Sequence, residues 1–152
     1  MTQIAVGVVD VFVIRIVRGR WRVLVLRRSS GRSPGSWETV HGKIEPGESP
    51  PVAARRELRE ETGLSDDRLY SITVNPFYIH ATRTVQLAVV FAAFVESNAV
   101  SLGVEHDRHA WLSPAQALKR FTWPREGEAL KQIRHLLKGG DAGRVEDVLR
   151  IV

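Results

Sequence analysis

An α/β domain, with a mixed sheet carrying helices on its faces, is the fold class that three observations predict. The chain has 152 residues, enough for one contiguous core and too few for several domains. Runs of β-branched residues fill its first 26 positions and return between Leu69 and Glu96. Helical segments introduced by Ser-Pro interrupt and follow those runs, giving the order β-β-(β)-α-β-β-β-α-α.

Taken in order, Ile4 to Val17 is apolar on both alternating faces, the pattern of a central strand covered on two sides. Arg18-Gly19-Arg20 is a turn, and Trp21 to Leu26 returns as the second strand of a hairpin. Ser29 to Ser36, with two glycines and a proline, is a loop. Trp37 to Ile44 is short and extended and leads into the turn Glu45-Pro46-Gly47-Glu48. Ser49 stands at an N-cap, Pro50 at the first helical position, and Ala53 to Thr62 are mostly good helix formers. Gly63 occupies the left-handed C-terminal cap position. Leu69 to Ile79 and Thr84 to Glu96 are strands, and His109 to Leu112 is a short one. Ser113-Pro114 starts a helix running to Phe121, and another spans Pro124 to Lys138 before Gly139-Gly140. Residues 1–140 thus read as a single domain, and 141–152 as a tail with a weak helical pattern.

Composition narrows the function. No cysteine is present, which excludes disulfide scaffolds, thiolate metal sites and cysteine nucleophiles. The longest uninterrupted apolar stretch, Leu87 to Val95, is far short of the ~20 residues that span a bilayer. The first residues lack a basic leader, so no export segment and a cytoplasmic location are expected. A formal charge of +5, mostly arginine, suits either a polyanionic ligand or a solvated surface. No motif or aromatic-interleaved basic stripe predicts specific nucleic-acid binding. The oligomeric state stays open, a homodimer included.

The chemistry concentrates in Gly42 to Leu64, GKIEPGESPPVAARRELREETGL. Glu57, Glu60 and Glu61 fall on one helix at offsets of three and four, where like charges repel. A solvated acidic face is the structural explanation. Against it, Ala53, Ala54 and Leu58 mark the same helix as packed. The acids also occupy the end where the helix dipole disfavours negative charge. A hard divalent cation offsets such repulsion, and Gly42 and Gly47 allow the preceding loop to approach a ligand closely.

The segment resembles the Nudix box, with Gly42, Glu48, Arg56, Glu57, Leu58, Glu60, Glu61, Gly63 and Leu64 at its defined positions and no insertion. The resemblance implies an α/β/α sandwich and a hydrolase of nucleoside diphosphates linked to another group. It implies Mg²⁺ or Mn²⁺ held chiefly by Glu57 and Glu61, with Glu60 as a further ligand or proton acceptor and the Gly42 carbonyl completing the site. Arg56 would orient the acids by ion pairing, and Glu48 would brace the loop.

Glu105, six residues before Trp111, matches a loop glutamate that serves many Nudix proteins as an extra ligand or general base, with an ordinary loop-surface glutamate as the structural alternative. His106 and His109 lie beside it, but hard metals in carboxylate sites rarely need imidazole, so neither is assigned to the metal. Arg27 and Arg28 end the second strand, as a clamp for terminal phosphates or as a solvated charge pair. Trp37 and His41 flank the entry to the box, placed to contact a base, although Trp37 suits core packing equally. Tyr78 and His80 stand where family members carry specificity residues; Phe77 and Tyr78 can equally be alternate faces of a strand.

A weaker resemblance, carried by Glu105-His106, Trp111-Leu112 and Trp123, is to the branch acting on dihydroneopterin triphosphate and dATP. His41 departs from that branch's small residue. The expected activity is pyrophosphate release from a nucleoside triphosphate or related compound. Diadenosine polyphosphate or ADP-ribose hydrolysis, or non-catalytic nucleotide sensing, are the alternatives.

Overall fold

The computed structural model describes residues 1–152. Its centre is β1 (Gln3–Val17), which lies parallel to β6 (Thr84–Phe94) and antiparallel to β2 (Arg20–Arg28). Two short strands, β3 (Trp37–Glu38) and β4 (Val40–Lys43), pair with β2 and β1 respectively. β5 (Arg68–Ile79) forms the far edge against β6, and β7 (His106–Leu112) pairs with β2. The sheet is therefore mixed, and its one parallel pair is central, where helices can cover both faces.

Alternation along β1 sorts its side chains between two cores. Val9, Val11 and Val13 face α1 (Pro50–Thr62), packing with Ala53, Ala54 and Leu58. Phe12 and Ile14 face the other way, towards α2 (Pro114–Arg120) and α3 (Pro124–Leu136), where Ala117, Ala129, Leu130 and Ile133 complete the core. The result is the expected three-layer α/β/α arrangement.

Several boundaries differ from expectation. β7 begins at His106 rather than His109, because pairing of His106 with Arg28 extends the ladder. β6 ends at Phe94, α2 at Arg120 and α3 at Leu136. Ser49 occupies the N-cap backbone position of α1 without using its side chain, whereas Ser113 and Gln116 form a reciprocal capping box on α2. Gly63 has φ 73°, and its N–H donates to the Arg59 carbonyl, closing α1 in the left-handed cap conformation.

Beyond Gly140 the chain packs back on the sheet. Ala142 is buried, Tyr70 Oη donates to Glu146 at 2.7 Å, and the Ile151 N–H donates to the Leu69 carbonyl. A 3₁₀ turn (Gly143–Val145) and α4 (Glu146–Leu149) shape this segment.

One polar island interrupts the layer between the sheet and α3. Glu126 accepts from the Thr39 N–H at 2.6 Å, and Asp10 meets His41 Nδ1 at 2.5 Å. Burial, then the nearby Asp10 charge, pushes the Glu126 carboxyl well above its usual range. Above pH ~4.3 the unfolded chain releases this proton while the folded chain keeps it, so stability falls as pH rises. Glu126→Gln removes that dependence. Thermal melts should show the variant close to wild type near pH 5, with its relative stability increasing by up to about 1.4 kcal/mol per pH unit above that. A constant difference across pH would refute the assignment.

Candidate functional site

Helical periodicity puts an acid where a core residue belongs. Ala54, Leu58 and Glu61 lie at offsets of four and three on the buried stripe of α1, so packing the helix on the sheet buries Glu61 as well. Both of its carboxylate oxygens are enclosed without a hydrogen-bond partner. Burial pushes its carboxyl well above the usual range, and Glu57, Glu105 and Glu38 add to the shift.

The loop after β6 closes over this end of α1. Ser101 and Gly103 donate their N–H groups to the Thr62 and Glu61 carbonyls, satisfying acceptors that a helix end leaves open. A Cβ on Gly103 would stand 2.9 Å from the Glu60 carbonyl oxygen, so only glycine permits this approach. The closure brings Glu105 and His106 beside Glu61. Together with Glu57, Glu60, Gly103 and Val104, they line a cavity of about 130 Å³.

Gly42 contributes by having no side chain, because a Cβ there would stand 2.0 Å from the Glu57 carboxyl carbon. Arg56 holds the acids from outside. Its Nε and Nη2 grip Glu48 at 2.7 and 2.8 Å, Nη2 also reaches the Lys43 carbonyl, and Nη1 donates to Glu57 at 2.8 Å and Glu60 at 3.1 Å. Arg56, with the Glu45 N–H, draws the Glu48 carboxyl down to about 2. The same pairing, led by Glu48, raises the Arg56 guanidinium above its ordinary value. Glu48 and Arg56 thus brace the loop and the helix as one unit.

His106 is fully buried. Its Nε2 lies 2.9 Å from Glu38 Oε2, which also accepts from Arg28 Nη1 at 3.0 Å. Its Nδ1 has no partner and faces Glu61 Oε1 at 3.7 Å. Donor atoms of Glu61, Glu105 and His106 all lie within 4.8 Å of one another. Unpartnered, buried oxygens converging on one small cavity are a set that a divalent cation fits.

A larger cavity, about 380 Å³, opens on the other side of Glu38. Phe77, Tyr78 and Trp123 supply aromatic walls, and Arg28, Arg32 and Arg125 supply positive charge. His41 also lines it, fixed from beneath by Asp10. Arg125 lies over the Phe77 ring at 4.6 Å.

The structure therefore brings Glu57, Glu60, Glu61 and Glu105 to one cavity, with Gly42 and Arg56 set against Glu57 from outside it, and Arg28, His41 and Tyr78 to the other. Arg27 is not brought to either: its guanidinium pairs with both Asp107 oxygens at 2.8 and 2.5 Å, away from the cavities. Trp37 packs against the α2–α3 core under Arg120, and His80 is exposed beyond the end of β5. Sequence reasoning set His106 aside and did not single out Glu38, Asp10, Glu126 or Arg125. Adjacency to Glu105 was the one available signal for His106. The others depend on packing between distant strands and helices.

Comparison with known proteins agrees with this construction. The NUDIX domain model matches residues 2–133. A Myxococcus xanthus protein named octanoyltransferase is 38% identical over 125 residues, covering 78% of this chain and 35% of that protein. The zebrafish oxidized purine nucleoside triphosphate hydrolase is 45% identical over 51 residues, covering 34% of this chain and 33% of its own. This chain thus spans about a third of the length of these two relatives. Among solved structures, the NUDIX domain of Shewanella oneidensis NrtR with ADP ribose superposes with a TM-score of 0.74 at 18% identity, covering 90% of this chain and 89% of that one. The MutT protein of Methanosarcina mazei Go1 superposes with a TM-score of 0.71 at 25% identity, covering 88% and 95%. With the complete box folded around one acidic cavity and the family model matching most of the chain, the protein belongs to the Nudix hydrolase family.

Proposed function

We propose that the protein is a Mg²⁺- or Mn²⁺-dependent pyrophosphohydrolase that converts a nucleoside triphosphate, or a related compound such as dihydroneopterin triphosphate, to its monophosphate and pyrophosphate. The observation that carries this reading is the pairing of two cavities across Glu38. One gathers Glu57, Glu60, Glu61 and Glu105, with Glu61 buried and unpartnered, and the other is an aromatic, arginine-lined pocket large enough for a base and sugar. The names of the zebrafish hydrolase and of an RNA pyrophosphohydrolase from Erythrobacter litoralis, 40% identical over 55 residues, point to the same bond class.

Glu57, Glu61 and Glu105, with the Gly42 carbonyl, would hold the cation, and Glu60 stands beside them as a further ligand. When bound, the metal neutralises phosphate charge and lowers the pKa of a coordinated water. The remaining work falls to the chain itself. Glu105, exposed at the mouth of the cavity, accepts the proton of the attacking water. Arg56 keeps Glu57 and Glu60 from swinging apart under mutual repulsion. Arg28 and Arg32 face the anionic end of the substrate, while Phe77 and Tyr78 offer flat surfaces to the base. His41, oriented by Asp10, presents its remaining ring nitrogen to a base edge. The cytoplasm is the proposed location and a nucleotide-like small molecule the proposed partner.

A panel of dATP, dGTP, 8-oxo-dGTP, Ap4A and ADP-ribose with Mg²⁺ separates this reading from its alternatives. Pyrophosphate should appear from at least one triphosphate. Cleavage of Ap4A or ADP-ribose alone would replace the substrate class, and binding without any cleavage would make the protein a sensor. Glu57→Gln should lower turnover by at least about 100-fold, beyond the usual cost of perturbing an outer-shell group, with an unchanged circular dichroism spectrum. Phe77→Ala should raise KM by roughly 5- to 150-fold with little change in kcat, as expected for loss of about 1–3 kcal/mol of base stacking. A fall in kcat alone would place Phe77 outside the base pocket.

A further inference from the structure

We propose that His106 is itself a ligand of the divalent cation, through Nδ1, with Glu38 as the positioning residue that aims it. The proposal rests on the reading that the acidic cavity holds a cation, and it adds a nitrogen donor to an otherwise all-oxygen set.

The argument begins with hydrogen-bond roles. Glu38 is buried between Arg28 and His106, and its Oε2 lies within 3.0 Å of a nitrogen from each. That oxygen accepts from Arg28 Nη1 at 3.0 Å, so it meets the histidine as an acceptor already paired with a guanidinium. A carboxylate in that position only accepts, so His106 Nε2 carries the proton. In the neutral ring Nδ1 then bears a lone pair.

That lone pair points at a second acceptor. Nδ1 is buried without a hydrogen-bond partner and stands 3.7 Å from Glu61 Oε1, which is also buried and unpartnered. Two acceptors enclosed face to face are destabilising unless a proton or a cation lies between them, and the convergence of a third donor on the same point favours the cation. Glu105, on the residue before His106, brings a third donor within 4.8 Å. Arg56 cannot serve as the positive centre, because its donors are engaged with Glu48, Glu57, Glu60 and the Lys43 carbonyl on the far side of Glu57. A carboxylate donating orientation to the outer nitrogen of a metal-ligating imidazole is a recurrent arrangement, and Glu38–His106 reproduces its geometry.

A nitrogen donor has a consequence for metal choice. Imidazole binds first-row transition-metal ions, Mn²⁺ included, better than it binds the harder Mg²⁺, so the site should favour Mn²⁺ over Mg²⁺ more strongly than carboxylates alone would.

Electron spin-echo spectroscopy of Mn²⁺ bound to the wild-type protein provides the test. It should show ¹⁴N modulation that converts to a ¹⁵N pattern when the histidines are ¹⁵N-labelled. No other histidine lines the acidic cavity, so the signal reports His106. Calorimetric titration of His106→Gln should lower the ratio of Mn²⁺ to Mg²⁺ affinity by about tenfold or more, and Glu38→Gln should weaken Mn²⁺ binding by about 10–100-fold. The labelled wild type decides the matter even if a variant fails to fold. Mn²⁺ bound without nitrogen modulation overturns the imidazole ligand and leaves the hydrolase reading standing. Failure of the wild type to bind Mn²⁺ at all overturns both.

Discussion

A carboxylate enclosed at the C-terminal end of a helix, with both oxygens unpartnered, is the group around which this protein is built. Glu61 is there because the apolar stripe of α1 continues onto it, so the packing that stabilises the helix also desolvates the acid. The helix dipole and three neighbouring glutamates oppose the same placement. Every feature nearby either tolerates that conflict or limits it. Arg56 neutralises Glu57 and Glu60 from the solvent side, and Thr62 bonds back to the Leu58 carbonyl and steadies the last turn. The Ser101–Gly103 loop covers the free carbonyls, and Gly42 leaves room for Glu57 to lie flat against the strand. A fold that keeps such a site without relieving it retains a local instability that a bound cation removes.

Strand alternation then determines how the site communicates with its pocket. On β4, Val40 faces α1 and its core, His41 faces the pocket on the opposite side, and Gly42 returns to the acidic side. Three consecutive residues thus serve a core, a pocket and an acidic cavity in turn. Glu38, two residues earlier, touches both cavities, lining the larger one while holding His106 in the smaller. A ligand that engages Arg28 would draw on the same carboxylate that aims His106. The two cavities are therefore electrostatically one system, although they lie on different sides of a strand.

What could be read from the sequence follows from distance along the chain. Glu57, Glu60, Glu61, Arg56 and Glu48 lie within fourteen residues, and one helix with the short turn before it brings them together. Gly63 and the Ser113 N-cap were legible for the same reason, each being settled within one turn. Glu38 and His106 are 68 residues apart, and Thr39 and Glu126 are 87 apart. Their meeting depends on β7 pairing with β2 and on α3 crossing the sheet, which no local pattern encodes. Arg27 shows the opposite failure. Its neighbour Arg28 has the same residue type and the same strand-end position, yet only Arg28 reaches the pocket, because β7 offers Asp107 to one and β3 offers Glu38 to the other.

The positive charge of the chain has to be reinterpreted in the same light. A net +5 suggested a polyanionic partner, but most arginines whose surroundings are defined have structural duties. Arg15, Arg68, Arg120 and Arg134 lie over aromatic rings at 4.4 to 5.5 Å, Arg55 and Arg27 pair with aspartates, and Arg56 is occupied by the acids. Planar, weakly hydrated guanidinium groups suit these half-buried positions better than lysine would, which accounts for the arginine excess without a nucleic-acid surface. Only a few, chiefly Arg28, Arg32 and Arg125, face the large pocket. Attraction for an anionic substrate is therefore local, set by three side chains at one opening, and it acts beside an acidic cavity that would repel the same substrate. Were the proposed cation and phosphate substrate to share this site, the cation would offset the acids' repulsion of the phosphates, so metal binding and substrate binding should be positively coupled.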